Sequence, residues 1–327
     1  MDEGLIIPAG KAEFDSVALD MFRLQAVDNP VYSEFVGLLG IDPRKVKSVT
    51  DIPFMPVSLF KSHRVLTGGD HYEALFTSSG TTGSTPSKHY VRSLALYEHS
   101  FTAAFRHFYG DIPGYTIAAL LPSYVERGGS SLVYMAEHLV AATGSPLSGF
   151  YDGSRSAMAE LVARHAGNGH EQGRQLLIIG VTWALLKMAR EWGPDLKGAI
   201  VMETGGMKGM GHEMVREELH AELCGRLNIE VVHSEYGMCE LLSQAYSKGG
   251  GRFYTPPWMK ALVADTTNPL SLSCRPGVRG SINVIDLANR HSCAFVATAD
   301  LGVLCDDGGF EITGRIDNSE VRGCNLL

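Results

Sequence analysis

Apolar residues in the first forty positions recur at intervals of three and four, which predicts two short helices between residues 10 and 40. Pro53 and Pro56 interrupt this pattern. A longer amphipathic helix is predicted further on, and Gly110 and Pro113 end it. Its apolar stripe is formed by Leu94, Tyr97, Phe101, Ala104, Phe105 and Phe108. We therefore predict a helical N-terminal segment over residues 1–70.

Beyond residue 115, predicted strands and helices alternate along the chain. Buried strands are predicted at 116–121, 175–180, 198–202 and 229–233, and helices at 130–142, 182–192 and 212–223. Such alternation is typical of a mostly parallel sheet flanked by helices. We therefore predict the α/β class, with its core at residues 71–250.

The pattern changes after three consecutive glycines, Gly249 to Gly251. Short apolar runs at 261–264, 280–285 and 294–298 alternate with turn residues, which predicts antiparallel strands. We assign residues 251–327 to a β-rich subdomain with a C-terminal tail. Because the chain shows no internal repeat and no low-complexity linker, we expect residues 1–327 to form a single domain.

Charge and composition narrow the possible partners. Lys and Arg number 28 against 36 Asp and Glu, a net charge of −8, so nucleic acid is not expected to bind. No apolar run approaches the ~20 residues of a membrane span, and the first residues do not resemble a secretory signal. Six scattered cysteines without a CxxC pair are expected to be reduced thiols. We expect a cytoplasmic protein without a membrane partner.

Residues 77–88 carry the strongest chemical signal. This loop holds eight hydroxyl residues, two glycines, one proline and Lys88 in twelve positions. Glycine lets backbone N–H groups approach an anion, hydroxyls bond its oxygens, and a lysine offsets its charge. A flexible surface loop is the simpler interpretation of such composition. The position of the loop, between a short apolar run and a long helix, favours a phosphate site, although it is not a Walker A motif.

The loop resembles the phosphate loop of the adenylate-forming superfamily, S/T-S-G-T-T-G-x-P-K, with Ser87 as one extra residue before Lys88. The resemblance implies that the fold is the large N-terminal domain of such an enzyme. It also implies that ATP is bound and that Lys88 acts in catalysis. The implied nucleotide-binding residues of the loop are Thr77, Ser78, Ser79, Gly80, Thr81, Thr82 and Gly83.

Two further motifs of that superfamily follow the third and fourth predicted strands. The pair Gly205-Gly206 resembles the glycines that border the adenine pocket; a tight strand-to-helix turn is the simpler explanation. Residues 236–240, Tyr-Gly-Met-Cys-Glu, resemble Y-G-x-T-E. That resemblance implies that Tyr236 and Gly237 bind the nucleotide and that Glu240 helps to hold Mg²⁺. A carboxylate suits this hard cation.

Two more motifs lie in the predicted β-rich subdomain. Residues 298–302, Thr-Ala-Asp-Leu-Gly, resemble T-G-D-x-G, whose aspartate accepts hydrogen bonds from the ribose hydroxyls. Residues 314–317, Gly-Arg-Ile-Asp, resemble the G-R-x-D hinge of the same enzymes. The resemblance thus assigns Asp300 and Arg315 to nucleotide binding. A turn-forming aspartate and a weak exposed ion pair are the structural alternatives.

The last residues narrow the resemblance further. The chain closes on Arg322-Gly323-Cys324-Asn325-Leu326-Leu327, which is similar to the LuxE-type acyl-protein synthetases. In that family a fatty acid and ATP form an acyl-AMP, and a cysteine near the C-terminus takes the acyl group before a partner reductase receives it. The resemblance implies that Cys324 is this acceptor, a thiol nucleophile that divides one acylation into two steps. It also implies that the lid domain of longer relatives is absent.

Two other functions remain open at this point. The same site in an acyl- or aryl-CoA ligase of the phenylacetate type would pass a small carboxylic acid to coenzyme A. A nucleotide-binding subunit without catalysis is the second alternative, because the lid supplies a lysine to the adenylate in longer enzymes. Pyrophosphate exchange separates the non-catalytic alternative from the other two, and a CoA-dependent product identifies the CoA ligase.

Overall fold

The computed structural model describes residues 4–78, 85–121, 129–167, 173–205 and 214–316. Two large sheets, one two-stranded sheet and the helices around them make up this part of the chain. The helices are α1 (Lys11–Asp28), α2 (Pro30–Leu38), α3 (Leu59–Ser62), α4 (Leu94–Tyr109), α5 (Ser131–Thr143), α6 (Arg155–Gly167), α7 (Thr182–Glu191) and α8 (Arg216–Leu227).

The first large sheet has six strands in the order β5-β4-β6-β7-β8-β9. Its pairings are parallel from β5 to β8, and β9 joins β8 in the antiparallel sense. Its central strands are almost entirely buried, as parallel strands covered by helices must be. The strands are β4 (Tyr115–Leu120), β5 (Gly149–Phe150), β6 (Gln175–Val181), β7 (Ile200–Thr204), β8 (Val232–Tyr236) and β9 (Ala245–Ser247).

The second large sheet has seven strands in the order β10-β15-β14-β13-β11-β12, and β1 pairs with β14. All of these pairings are antiparallel except the parallel pair of β1 and β14. The strands are β1 (Met55–Pro56), β10 (Arg252–Phe253), β11 (Met259–Ala264), β12 (Leu272–Ser273), β13 (Arg279–Asp286), β14 (Phe295–Leu304) and β15 (Phe310–Arg315).

Helix ends follow the local sequence. The Asn29 side chain accepts a hydrogen bond from the Tyr32 backbone N–H at the start of α2, where Pro30 occupies the first turn. The Ser93 hydroxyl accepts from the Leu96 N–H in the same way at the start of α4. Gly110, with φ 84°, ends α4 at a backbone conformation that favours glycine. These helices therefore begin and end where capping chemistry predicts.

The N-terminal helices pack against the β-rich sheet through buried polar contacts. The Gln25 amide donates to the carbonyls of Asn289 and Arg290, and its oxygen accepts from the Ala294 N–H. Phe22 contacts Phe295 edge to face, with ring centroids 6.0 Å apart. The first and last parts of the chain thus share one core, although more than 260 residues separate Gln25 from its partners.

The α/β class predicted from the sequence is confirmed, and the antiparallel strands beyond residue 251 are present. The features that the sequence did not anticipate include helix α6, the antiparallel edge strand β9, and the pairing of β1 with β14. The predicted helix at 212–223 is observed at Arg216–Leu227 within the described residues. None of the helices described is both long enough and apolar enough to span a membrane.

Candidate active site

The carboxyl ends of β7 and β8 bring two predicted nucleotide-binding segments side by side. The strands pair in parallel, with Thr204 opposite Glu235, so Gly205 and Tyr236 follow at the same sheet edge. Gly205 has φ +61°, which favours glycine. A Cβ on Gly237 would lie 2.3 Å from Glu235 Oε1, so a larger residue there would require the Glu235 carboxylate to move. The backbone therefore favours glycine at position 205, and the Glu235 side chain favours it at position 237.

Tyr236 links this edge to the β-rich sheet through Asp300. The Tyr236 hydroxyl donates to Asp300 Oδ2 at 2.8 Å. Arg315, opposite Asp300 in the β14–β15 pair, places Nε 3.7 Å from Asp300 Oδ1. Burial, together with the Asp300 carboxylate, holds the pKa of Tyr236 well above its usual value, so the phenol stays protonated as a donor. We call Tyr236, Asp300 and Arg315 the ribose-end cluster.

The described base of the hydroxyl-rich loop is a short hairpin. Strands β2 (Ala74–Thr77) and β3 (Lys88–Val91) pair antiparallel, with Thr77 opposite Lys88. Just beyond them, the Ser78 N–H donates to the Ser87 carbonyl at 3.0 Å, and the Ser87 N–H donates to the Ser78 hydroxyl at 2.8 Å. Lys88 is exposed at this position. The hairpin therefore closes the loop and leaves its lysine accessible.

Glu240 lies at the buried side of the same hairpin, and only 5% of the residue is exposed. Burial raises the pKa of its carboxyl group. A hydrogen bond from the Ser87 side chain and the positive charges of Arg315 and Lys61 oppose this rise in pKa. The structure therefore brings the predicted metal ligand next to the loop and within the electrostatic reach of the ribose-end cluster.

The backbone around Glu240 is held by two buried side chains. His89 Nδ1 lies 2.7 Å from the Cys239 carbonyl oxygen, and His89 Nε2 lies 3.1 Å from Asn289 Oδ1. The Asn289 amide in turn donates to the Glu240 carbonyl at 2.7 Å. Burial lowers the pKa of His89 to about 4, which makes the imidazole neutral near pH 7. These contacts fix the segment that carries Glu240.

The residues after Glu240 are held by a third buried group, Asp286. Its carboxylate accepts from the N–H groups of Leu242 and Ser243 at 2.8 and 3.1 Å, from the Ser243 hydroxyl at 2.5 Å and from the Ala288 N–H at 3.1 Å. The Trp258 indole N–H donates to the same hydroxyl at 2.9 Å. We call His89, Ser243, Trp258, Asp286 and Asn289 the anchor cluster.

Sequence reasoning did not find the anchor cluster. Its members lie on separate segments, and each looks like an ordinary polar or aromatic residue among apolar neighbours. The available signal was weak: His89 directly follows Lys88, and Asp286 and Asn289 form a polar pair after a strongly apolar strand. Lys61, which is not among the predicted site residues, lies close enough for its positive charge to lower the pKa of Glu240.

The fit of Mg²⁺ can be tested on the donors present. Among the described residues, no three His, Cys, Asp or Glu side chains gather so as to hold a metal ion by themselves. Mg²⁺ commonly binds one or two carboxylates and completes its shell with waters and nucleotide phosphates. A single buried carboxylate beside a phosphate loop fits that mode. Glu240 would hold the ion, which would supply positive charge to the phosphates.

Part of the predicted site lies outside the described residues. Those residues are Ser79, Gly80, Thr81, Thr82, Gly83, Gly206 and Cys324. The structure brings the described ones into two neighbouring groups. Tyr236, Gly237, Asp300 and Arg315 form one group beside Gly205, and Thr77, Ser78, Lys88 and Glu240 form the other.

Comparison with solved structures defines the class of fold. ATP-bound MatB from Rhodopseudomonas palustris superposes with a TM-score of 0.55 at 14% identity, over 76% of this chain and 49% of that protein. O-succinylbenzoate coenzyme A synthetase (MenE) from Bacillus subtilis, in complex with ATP and a magnesium ion, gives 0.50 at 18% identity, over 74% and 49%. The chain thus has the fold of adenylate-forming enzyme domains and spans about half the length of these structures.

One curated protein is similar to this chain over most of its length. The long-chain-fatty-acid–luciferin-component ligase of Vibrio harveyi is 22% identical over 324 residues, which is 91% of this chain and 82% of that protein. It is a LuxE-type acyl-protein synthetase, so the resemblance stated from the sequence is confirmed. No protein-family profile matches the chain.

Proposed function

We propose that the chain is an ATP-dependent ligase that activates a carboxylic acid as its acyl-AMP. The observation that carries the proposal is a pair of carboxylates near the carboxyl end of β8, one on strand β14 of the second large sheet and one in the loop that follows β8. Asp300 is held by Tyr236, and Glu240 lies against the base of the hydroxyl-rich loop. This pair matches the two ends of a nucleotide: a carboxylate for the ribose diol and a carboxylate for the cation on the phosphates.

The adenylation reaction requires this site to offset negative charge. A substrate carboxylate oxygen attacks the α-phosphorus, an O–P bond forms, the bond to the β-phosphate oxygen breaks, and pyrophosphate leaves. Two anions must therefore approach each other. Exposed Lys88 and the loop N–H groups offset that charge, and Arg315, whose positive charge reaches Glu240, adds to them. Mg²⁺, when bound, supplies further charge neutralisation.

The second proposed step is acyl transfer to Cys324. The thiolate sulfur attacks the acyl carbonyl, a C–S bond forms, and the C–O bond to AMP breaks, so AMP leaves as the anion. The resulting thioester then passes its acyl group to a partner protein, for which an acyl-protein reductase is the candidate. A long-chain fatty acid is the proposed substrate, because the Vibrio harveyi relative is named for that substrate.

Acyl transfer to coenzyme A is the second candidate. One specific observation favours it: MenE, a solved structure of the same fold, is named as a coenzyme A synthetase. The two candidates share adenylation and differ only in the thiol that receives the acyl group. The acceptor therefore has to be identified by the covalent product.

The proposed acceptor is tested by labelling. Wild-type protein with radiolabelled fatty acid, ATP and Mg²⁺ is expected to form a protein adduct that neutral hydroxylamine removes. Cys324→Ser is expected to release pyrophosphate at the first turnover but to lose most of the label, since a hydroxyl is a far weaker nucleophile than a thiol. Cys274→Ser, a change at an exposed cysteine, is the matched control and is expected to label normally.

Each result that contradicts the proposed role of Cys324 supports a particular alternative. Undiminished label in Cys324→Ser moves the acceptor to another cysteine, with Cys239 tested next because it precedes Glu240. A coenzyme A thioester without any protein label identifies the CoA ligase. Absence of ATP–pyrophosphate exchange with every acid of a chain-length panel supports the non-catalytic nucleotide-binding alternative.

A further inference from the structure

Thr182 is the first residue of α7 and directly follows strand β6. Strands β6 and β7 pair in parallel, with Val181 opposite Thr204, so Thr182 and Gly205 each come next after paired residues at the carboxyl end of the sheet. Only 1% of Thr182 is exposed. A buried hydroxyl is almost always hydrogen-bonded inside the protein. The partners of this side chain are therefore found at the same sheet edge as Gly205.

Two acceptors face the Thr182 hydroxyl. Its oxygen lies 3.0 Å from the carbonyl oxygen of Gly205 and 3.2 Å from Oε2 of Glu203. A hydroxyl has one hydrogen to donate, so the two acceptors share it. The hydroxyl thus connects the start of α7 to the residue that begins the turn after β7.

Glu203 is ionised although only 6% of the residue is exposed. His220 Nε2 lies 3.7 Å from Glu203 Oε1, and Arg216 Nε lies 3.9 Å from the same oxygen. Burial opposes the charge, but these two groups outweigh burial and leave the pKa of Glu203 below its usual value. An ionised carboxylate only accepts hydrogen bonds, so Thr182 is the donor in both contacts.

The conformation of Gly205 makes the donor important. Gly205 has φ +61°, in the left-handed region that glycine adopts easily. Because glycine has more backbone freedom than any other residue, its own chemistry does not hold the carbonyl in one orientation. The hydrogen bond from Thr182 supplies that restraint. Its removal would leave the Gly205 carbonyl and the Glu203 carboxylate, two acceptors, without the hydrogen that they share.

We propose that Thr182 is a positioning residue that holds the Gly205 carbonyl and thereby sets the preference of the site for adenine. This inference rests on the proposed function, because the adenine belongs to the ATP proposed to bind beside Gly205. Thr182 does not touch the reacting atoms. Adenine carries an amino donor where guanine carries a carbonyl acceptor, so peptide groups that are held in one place distinguish the two bases.

The test measures the affinities of ATP and GTP, each with Mg²⁺, by calorimetry in four proteins: wild type, Thr182→Val, Gly205→Ala and the double variant. Valine keeps the branched shape of threonine and removes the hydroxyl. Wild type is expected to prefer ATP, and Thr182→Val is expected to lower ATP affinity about 10-fold while GTP affinity stays within about 2-fold. Gly205→Ala is expected to reduce the same preference, because a Cβ is strained at this φ. In that background, Thr182→Val is expected to add less than about 2-fold.

Two controls separate positioning from a general loss of stability. Thr182→Ser keeps the hydroxyl and is expected to retain most of the preference for ATP. Thr143→Val removes another buried threonine hydroxyl, which donates to the Val140 carbonyl at 2.7 Å, and is expected to leave the ratio of ATP to GTP affinity unchanged. Thermal unfolding without ligand shows whether each variant is folded. If Thr182→Val does not fold, Thr182→Ala replaces it, because alanine also lacks the hydroxyl and favours a helix.

The results that contradict this inference differ from those that contradict the proposed function. If loss of the Thr182 hydroxyl weakens ATP and GTP binding equally, or weakens ATP binding as much in the Gly205→Ala background as in wild type, Thr182 does not act on the base through Gly205. Unchanged ATP affinity in a folded variant without the hydroxyl, or wild-type protein without a preference for ATP, also overturns the inference and leaves the proposed function standing. Wild-type protein that binds neither nucleotide overturns the proposed function itself.

Discussion

Two aspartates of the β-rich sheet have opposite surroundings. Asp286, at the end of β13, is fully buried and accepts four hydrogen bonds from the protein. Asp300, on β14, accepts from Tyr236 and keeps 15% of its side chain exposed. The acceptor capacity of Asp286 is used by the fold, whereas Asp300 accepts a hydrogen bond from Tyr236 and stays partly exposed.

Glu240 falls between these two extremes. It is as buried as a structural residue, and burial raises the pKa of its carboxyl group. The positive charges of Arg315 and Lys61 nevertheless oppose this rise in pKa. Burial alone therefore does not separate the carboxylates predicted to bind a ligand from those that hold the fold.

Among the variants that test this comparison of carboxylates, Asp286→Ala is expected to have the largest effect. It leaves the Leu242, Ser243 and Ala288 N–H groups without their buried acceptor, so the free energy of unfolding is expected to fall by about 3 kcal/mol or more. Denaturant unfolding measures the loss. Asp306→Ala, at an exposed aspartate of the β14–β15 turn, is the control and is expected to change little. Equal stabilities of the two variants would contradict the anchoring role.

Glu240→Gln is expected to have the opposite effects: a large loss of activity and little change in stability. The amide keeps the shape and removes the charge, so Mg²⁺-dependent adenylation is expected to fall roughly 100-fold while thermal stability changes little. Pyrophosphate release and thermal unfolding are measured on the same samples. Glu217→Gln, at an exposed position of α8, is the control. A large loss of stability with full specific activity would make Glu240 structural.

Asp300→Ala tests the ribose end. ATP binding is expected to weaken by roughly 1–3 kcal/mol, because the ribose hydroxyls lose an acceptor. Calorimetric titration measures the change, with Asp306→Ala again as the control. Tyr236→Phe sharpens the result, since it removes only the donor to Asp300. Equal ATP affinity in wild type and Asp300→Ala would remove Asp300 from the site.

The smallest effect is expected at a half-buried carboxylate of α8, Glu222. A hydrogen bond from Arg190, helped by Arg226, lowers its pKa to about 2, below the ordinary value of 4.5. Its contribution to stability is therefore complete above about pH 5 and is lost as the pH falls towards 2. The difference in melting temperature between wild type and Glu222→Gln is expected to shrink over that interval. A difference independent of pH would show that the ion pair contributes nothing.

The sequence alone determined the features that depend on neighbouring residues. The spacing of apolar residues placed α1, α2, α4 and the parallel strands, because burial of one face repeats locally along the chain. The motifs placed Tyr236, Asp300 and Arg315 in one group, and these residues do meet. A motif carries such information because ligand chemistry restricts the residue types it can use.

Only the tertiary structure decided which buried polar groups meet. His89 contacts the Cys239 carbonyl, 150 residues away along the chain, and Asn289, 200 residues away. Gln25 contacts residues that are more than 260 positions away along the chain. No local pattern encodes such pairs, because each partner satisfies its own hydrogen bonds only after the strands and helices have packed. The burial of Ser87 was likewise decided by packing: the sequence showed an extra serine in a polar loop, and only 3% of it is exposed in the structure.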